Sequence, residues 1–495
     1  KSANPADTEF FAAKPKFDHA KFTAFGMTRR AGRSASNDPG IAGLLEAKAD
    51  AICFVAKSSE YQVRVALETT NEENLASIRD SVSAAKAAGR EVMLDCEHFF
   101  DGYKANPEYT LRVLEAAASN GADCLVLCDT NGGSLPHEVQ RIVSEVASYF
   151  EETSLGIHTQ NDSGCAVANS VAAVVGGVSQ VQGTVNGYGE RTGNANLMTV
   201  IPDLTLKLGI ATLPDGRLDR LTAVSRHVAE LVNLPPHPAD PYVGSSAFAH
   251  KGGLHTSALG KVGGASYEHI DPAVVGNRTR VLVSDLGGRA GMAMKAAEFG
   301  VELDSRAAAE LSERLKVLEA EGYVFEAADA SLELLMRRAT GWDHEFFSVE
   351  AYRVSSYHRQ AVTPEGRPLG PVSGAAPALD LSTEATVKLW VGPDRLAAVG
   401  EGNGPVNALD AALRAALNGR YEALARIHLT DFRVRVLDSA TTPGLSDTGS
   451  VVRVLVDFTD GDRAWTTTGV SPNIIEASWQ ALTDGIVFGL LHADR

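Results

Sequence analysis

Gly156-Ile157-His158-Thr159-Gln160-Asn161-Asp162, followed by Gly189-Glu190-Arg191-Thr192-Gly193-Asn194-Ala195-Asn196-Leu197, is the part of the chain whose reading decides the fold. In the first stretch an apolar lead-in ends in a burst of His, Gln, Asn and Asp. In the second, the apolar run from Val181 to Val185 leads into a Gly-rich polar loop. Two neighbouring parallel strands that each finish in polar side chains describe one rim of a barrel, the end where chemistry gathers. His158 and Gln160 are two apart, so on a strand they face the same way and can offer two ligands to one metal ion. An Asx-type turn between a strand and a helix would account for the first stretch alone. The pair in this order points to a site.

Upstream, short apolar runs alternate with amphipathic stretches. Strands are expected at Phe22–Phe25, Ala51–Val55, Val92–Leu94, Cys124–Cys128, Leu155–His158 and Val181–Val185. Helices are expected at Glu73–Ala88, Pro107–Ala118, Glu138–Phe150 and Ala166–Val175. Repeated βα units with apolar strands indicate a parallel sheet with helices outside it. These are six units, where a closed (β/α)8 barrel needs eight. An open doubly wound sheet needs no more than six, but its Gly-rich phosphate loop after the first strand is absent.

Downstream the pattern becomes helical, with one helix expected over Leu218–Val232 and stopped by Pro235-Pro236. A polar loop with His250 and His255 follows, and then a Pro/Gly-rich linker from Pro364 to Pro377. Beyond it, strands at Ala385–Val391, Ile427–Leu437 and Val451–Phe458 and helices at Val406–Leu417 and Ile474–Leu491 read as an α+β domain. The expected division is a barrel over 1–212, helical subdomains over 213–363, a linker over 364–382 and a C-terminal domain over 383–495. Gly402–Asn407 and Ser471–Ile474 place small or capping residues before helices, where an anion or an ordinary cap can sit.

The net charge, 45 − 62 = −17 over 495 residues, makes nucleic acid and anionic membrane poor partners. No apolar run is long enough to span a bilayer. The five cysteines, Cys53, Cys96, Cys124, Cys128 and Cys165, fall in apolar segments. An odd, scattered set reads as reduced thiols in a cytoplasmic setting. Cys124 and Cys128 read as strand core rather than zinc ligands.

Several motifs, in one order, carry a resemblance. Val181–Arg191 followed by Gly193-Asn194-Ala195-Asn196-Leu197 resembles the 2-isopropylmalate synthase/homocitrate synthase family of metal-dependent (β/α)8 barrels. Asp95-Cys96-Glu97-His98-Phe99-Phe100-Asp101-Gly102-Tyr103 and Ser266-Tyr267-Glu268-His269-Ile270-Asp271-Pro272 resemble its (R)-citramalate synthase branch. Gly404–Ala408 and Asn473–Ser478 resemble its allosteric domain. There are two departures. The family opens with a strand carrying Arg-Asp-Gly, and Lys1–Pro5 resembles the loop after the family's second strand. The expectation is a barrel whose first two strands and a helix, about forty residues, precede Lys1. The other departure is Gln160, where the family has a second His.

The resemblance implies an acyltransferase that condenses acetyl-CoA with pyruvate and water to give (R)-citramalate and CoA, on the route to isoleucine. A 2-isopropylmalate synthase acting on 2-oxoisovalerate and a non-catalytic, amino-acid-binding paralogue are the alternatives. It implies His158, Gln160 and Asn194 as metal ligands, with Mg²⁺ or Mn²⁺ favoured by the neutral oxygen of Gln160 over Zn²⁺ or Co²⁺. Asn161 and Asp162 read as orienting or capping residues. Glu97 and His255 correspond to a carboxylate–histidine pair in which the His takes the acetyl proton. Without the resemblance, Glu97 reads as a surface carboxylate and His255 as a loop residue. His98 and His250 read as structural. Thr130 corresponds to the hydroxyl that holds the keto acid carboxylate. Tyr267 reads either as a donor to a developing oxyanion or as a ring packed on a helix. Isoleucine as feedback effector and a homodimer built by the C-terminal domain complete the expectation.

Overall fold

A computed structural model of the protein describes residues 9–11, 13, 17–234, 236–251, 264, 267–282, 288–342, 346–359, 380–437 and 450–493. The chain divides into two compact units. The first comprises residues up to Phe248 together with Asp271–Arg278, and the second the remainder.

The first unit is built on a six-stranded parallel sheet in sequential order: β1 (Thr23–Met27), β2 (Ala51–Lys57), β3 (Glu91–Glu97), β4 (Cys124–Asp129), β5 (Ser154–Thr159) and β6 (Gln180–Gln182). Between the strands run α1 (Pro39–Glu46), α2 (Glu60–Ala66), α3 (Asn71–Ala87), α4 (Phe99–Ala105), α5 (Pro107–Ala118), α6 (Pro136–Ala147) and α7 (Ala166–Gly176). After β6 come α8 (Leu197–Pro202) and α9 (Leu221–Leu231). The two-residue alternation of each strand sorts its side chains. Ile52, Phe54, Val92, Leu94, Leu125, Leu127 and Ile157 face the helices and join Ile78, Val113, Leu114, Ile142 and Val143 in one core. The opposite face carries smaller and sulfur-bearing side chains: Ala51, Cys53, Met93, Cys124, Val126 and Cys128.

The sheet is strongly curled. β6 stands three places from β3, roughly 14 Å away in a flat sheet. Yet Gln182 Nε2 donates to Asp95 Oδ1 at 2.8 Å and Gln180 Nε2 to Met93 Sδ at 3.1 Å. The face lined by Cys53, Met93 and Cys128 is therefore the concave interior of a barrel arc. Among the described residues no strand lies beyond β1 or β6, and Phe25 and Met27, on the inner face of β1, are 59% and 53% exposed.

The second unit holds a helical layer, α10 (Gly288–Glu298), α11 (Ser305–Glu321) and α12 (Asp329–Ala339), preceded by a small β7–β8 pair (Ala249–His250 with Arg280–Val281). It also holds two antiparallel three-stranded sheets. The first, in order β11-β10-β9, pairs Asp394–Gly402, Asp380–Val391 and Ser348–Arg359; the second, β12-β13-β14, pairs His428–Val436, Val452–Thr459 and Ala464–Ser471. Helices α13 (Pro405–Leu417) and α14 (Ile474–Leu491) complete it. Val387, Leu389, Leu409, Leu413, Val456, Phe458, Leu482 and Ile486 form one core across both sheets and both helices. Among the described residues α14 is the one helix long and apolar enough to cross a membrane, and Ala477, Ala481, Leu482, Ile486 and Leu490 are buried in this core instead.

The structure differs from the sequence reading in several places. The run Val181–Val185 is not one strand: β6 ends at Gln182 and a 3-10 turn occupies Val185–Gly187. The expected helix over Leu218–Val232 is a 3-10 turn followed by α9. β9, β11 and β14 were not anticipated, because Ser, Thr, Gly and charged residues interrupt their apolar alternation. β9 also brings Ser348–Arg359 into the C-terminal sheet, so that sheet begins ahead of residue 383. The linker at 364–377 lies outside the described residues.

Gly485 faces the ring of Phe458, and a Cβ there would overlap it. Replacing a helical Gly with Ala ordinarily gains about 1 kcal/mol of helix propensity, but overpacking a filled core costs about 1–3 kcal/mol. Gly485→Ala should therefore destabilise this unit. All four tryptophans, Trp342, Trp390, Trp465 and Trp479, lie in it, so a lower urea midpoint by Trp fluorescence is the expected result.

Candidate active site on the barrel rim

The carboxyl ends of β2 to β6 bring most of the described candidates to one rim. His158 and Gln160 leave β5 on its inner face, in phase with Gly156. The segment 193–196 then returns between the ends of β5 and β6. Ala195 N donates to Thr159 O at 3.0 Å and Thr184 N to Ala195 O at 3.1 Å. This return sets Asn194 opposite Gln160 in an isolated antiparallel bridge. Gly193, at φ +94°, permits the turn, and the bare Cα of Gly189 leaves room for the Asn194 amide.

Both amides present an oxygen without a protein partner. Asn194 Nδ2 donates to Tyr188 O at 2.9 Å, which turns Oδ1 the other way. Asn194 Oδ1 and Gln160 Oε1 are buried and accept no hydrogen bond among the described residues. Buried acceptors are almost always satisfied, and an orphaned pair on paired backbone segments fits a cation. With the imidazole of His158 they make one nitrogen and two neutral oxygens, a set suited to a hard divalent ion. Among the described residues there is no cluster of three His, Cys, Asp or Glu that could hold a metal. The thiols of Cys124 and Cys128 are interior lining, with burial pushing Cys124 up to about 12.

Behind His158 a polar chain crosses the interior. His158 Nδ1 lies 3.0 Å from Gln182 Oε1, Gln182 Nε2 donates to Asp95 Oδ1 at 2.8 Å, and Cys53 Sγ donates to the same oxygen at 3.1 Å. Burial holds the Asp95 carboxyl above the usual carboxylate range, opposed by the bonds from Cys53 and Gln182.

Glu97 ends β3 on the same rim. Its Oε2 meets Lys57 Nζ, at the end of β2, at 2.6 Å. The sequence reading did not include this partner. Its signal was present: Lys57 closes the inner-facing series Cys53, Val55, Lys57. Gln180 and Gln182 carry a similar signal, two amides two apart on a barrel strand.

Thr130 follows β4 and accepts the backbone N–H of His98 at 2.7 Å. Accepting that bond leaves its own proton free to turn toward a ligand carboxylate. His98 has φ +60° and holds Asp101 Oδ2 at 3.1 Å through Nδ1 at the start of α4. Asp129 is buried and accepts from Ser134 N and Asn169 Nδ2, so it ties the loop after β4 to α7. Asp162 accepts the Arg191 guanidinium through both oxygens at 2.7 and 2.8 Å, and Arg191 also donates to Thr130 O at 2.8 Å. This clasp joins three rim loops and keeps Asp162 below the usual carboxylate range. Asn161 Oδ1 accepts Ala166 N at 3.2 Å, at the start of α7.

In the second unit, His250 Nε2 lies 3.3 Å from Glu268 Oε1, and the half-exposed ring of Tyr267 stands 6.2 Å from the His250 ring. His255 lies outside the described residues. At the helix starts near Gly402–Asn407 and Ser471–Ile474, α13 has no side-chain cap, whereas Asn473 caps α14 by accepting from Ile475 N.

Residues 22–228 match the protein family described as HMGL-like, 242–322 the homocitrate synthase post-HMGL domain-like family, and 326–489 the LeuA allosteric (dimerisation) domain. An HMG-CoA lyase of known structure from Bacillus subtilis aligns at 20% identity and a TM-score of 0.40, over 46% of this chain and 76% of its own. A protein of Streptomyces coelicolor named (R)-citramalate synthase is 50% identical over 99% of this chain and 89% of its own length. One of the same name from Aquifex aeolicus is 47% identical over the same shares. Identity of this extent, across both units, shows that the chain belongs to the (R)-citramalate synthase branch of the 2-isopropylmalate synthase/homocitrate synthase family.

Proposed function

We propose that this enzyme condenses acetyl-CoA with pyruvate and water to give (R)-citramalate and CoA, as a step toward isoleucine in the cytoplasm. The observation that carries the reading is the 50% identity to an (R)-citramalate synthase along almost the whole chain. Five unpaired cysteines agree with a reducing compartment. Neither 2-oxoisovalerate as substrate nor a non-catalytic role has a comparable observation behind it.

The reaction needs a base for a weakly acidic methyl group, an electrophilic keto carbon and a second stage that cleaves the thioester. His158 Nε2, Gln160 Oε1 and Asn194 Oδ1 are the ligands in this reading, for Mg²⁺ or Mn²⁺ before Zn²⁺ or Co²⁺. A divalent cation held by them would supply Lewis-acid polarisation of the keto group. Thr130, its hydroxyl proton free, holds the pyruvate carboxylate. His255 removes a methyl proton of acetyl-CoA, oriented by the carboxylate of Glu97. The enolate carbon bonds to C2 of pyruvate, and the resulting alkoxide takes up a proton, with Tyr267 as the donor of a hydrogen bond to the developing charge. Water then adds to the thioester carbonyl. The C–S bond breaks, and the CoA sulfur leaves with a proton. The C-terminal unit binds isoleucine as feedback effector and joins two copies into a homodimer. The match to the LeuA allosteric (dimerisation) domain supports both roles.

CoA release measured with each keto acid tests the substrate. Pyruvate should exceed 2-oxoisovalerate in kcat/KM by about 10- to 100-fold, the range that added methyl groups command in a fitted pocket; the reverse order would reassign the enzyme. In the same assay isoleucine should lower the rate and leucine should not. Inhibition by leucine alone would move the reading toward 2-isopropylmalate synthesis. His255→Ala and Glu97→Gln should each depress kcat strongly, with the double variant little worse than the poorer single one, because paired groups act as a unit. Additive losses in log kcat would mean that the two act independently.

A further inference from the structure

The chain of hydrogen bonds behind His158 has a direction. A carboxylate only accepts, so Asp95 Oδ1, 2.8 Å from Gln182, must face the Gln182 NH₂ group. An inverted amide would set two acceptor oxygens against each other. Gln182 Oε1 is thereby turned to His158 Nδ1 at 3.0 Å, and because that oxygen also only accepts, Nδ1 must carry the proton. In a neutral ring the lone pair is then on Nε2.

We infer that Gln182, oriented by Asp95, is a positioning residue that fixes His158 in the tautomer whose Nε2 lone pair is offered to a divalent cation. The inference rests on the reading of His158 as a ligand. The surrounding interior argues that the relay is more than packing. It is lined by Ala51, Cys53, Met93, Cys124, Val126 and Cys128, and a buried carboxylate among such residues is costly unless hydrogen-bonded, so Asp95 depends on its donors Gln182 and Cys53. Gln180, two residues earlier on the same face, bonds to Met93 Sδ and Cys124 Sγ and makes no such relay. Asp95 is 6% exposed and supplies a negative charge behind three neutral ligands. Metal-bound imidazoles depend on partners of this kind for ring orientation and basicity.

The test is Mn²⁺ binding to the full chain, read by the free-ion signal in electron paramagnetic resonance, with folding checked by circular dichroism. Gln182→Met removes the acceptor for Nδ1 and should weaken binding about 10- to 100-fold. The exchange Asp95→Asn with Gln182→Glu rebuilds the relay with its polarity kept: the carboxamide introduced at 95 donates to the carboxylate introduced at 182, which accepts from His158. It should recover most of the loss. Parent-like binding by Gln182→Met, or an exchange variant no better than it, would sink the inference. If Gln182→Met does not fold, Asp95→Asn alone takes its place: with the amide of Gln182 no longer oriented by an obligate acceptor, binding should weaken, and parent-like binding overturns the relay. His158→Ala separates the two readings. If it binds Mn²⁺ like the parent, the ligand assignment itself is wrong; if it loses binding while Gln182→Met does not, only the relay is wrong.

Discussion

Side chains on β6 touch side chains on β3 because the parallel sheet curls, and this curl sets the terms for everything on its concave face. Along the middle strands the interior is lined by small and sulfur-bearing side chains. Ala51, Cys53 and Val126 line it, and a Cβ on Gly156 would lie 2.7 Å from Gln180 Oε1 and 3.0 Å from Val126 Cγ2. The bulky residues of the same strands, Phe54, Leu94 and Leu125, are sent outward to the helices. Polar groups on the concave face have one another as partners, which is how Asp95, Gln182 and His158 come to form a single directed chain.

The rim above that interior is assembled largely by backbone. The return of residues 193–196 between two strand ends places Asn194 beside Gln160, although 34 positions separate them in sequence. Arg191 then ties the same loop to the loops after β4 and β5 through Thr130 and Asp162. Side-chain donors on loops are imprecise unless the loops are fixed, and here the fixing groups sit in the same short motifs as the candidate ligands.

How much of this could be read from sequence depends on the physics of each element. Strands buried on both faces are continuous apolar runs, and β2 to β5 were found within a few residues of their ends. β9 and β14 were not: one face of β9 meets water, and in β14 buried Thr and Gly residues take the place of an apolar run. His158, Gln160 and Asn194 were singled out by motif, and the structure sets all three on paired backbone, with Gln160 opposite Asn194. The orphaned state of their oxygens is a three-dimensional property that no spacing encodes. Lys57 and Gln182 were passed over for a different reason. Polar residues ending an apolar strand ordinarily mark where the strand meets water, and that reading outweighed the alternation that sets both on the inner face. Glu97 was assigned an imidazole partner through the resemblance, whereas its neighbour in the described structure is an ammonium group.

The burial of α14 has a consequence for the order in which the protein is made. Phe458, Trp465, Val454 and Val456 are synthesised before the helix that covers them, and that helix is the apolar segment Ile474–Leu491. Until that segment is in place, the apolar face of the β13–β14 hairpin has no helix to cover it. Closure of the C-terminal core therefore waits on the last of its described elements in chain order.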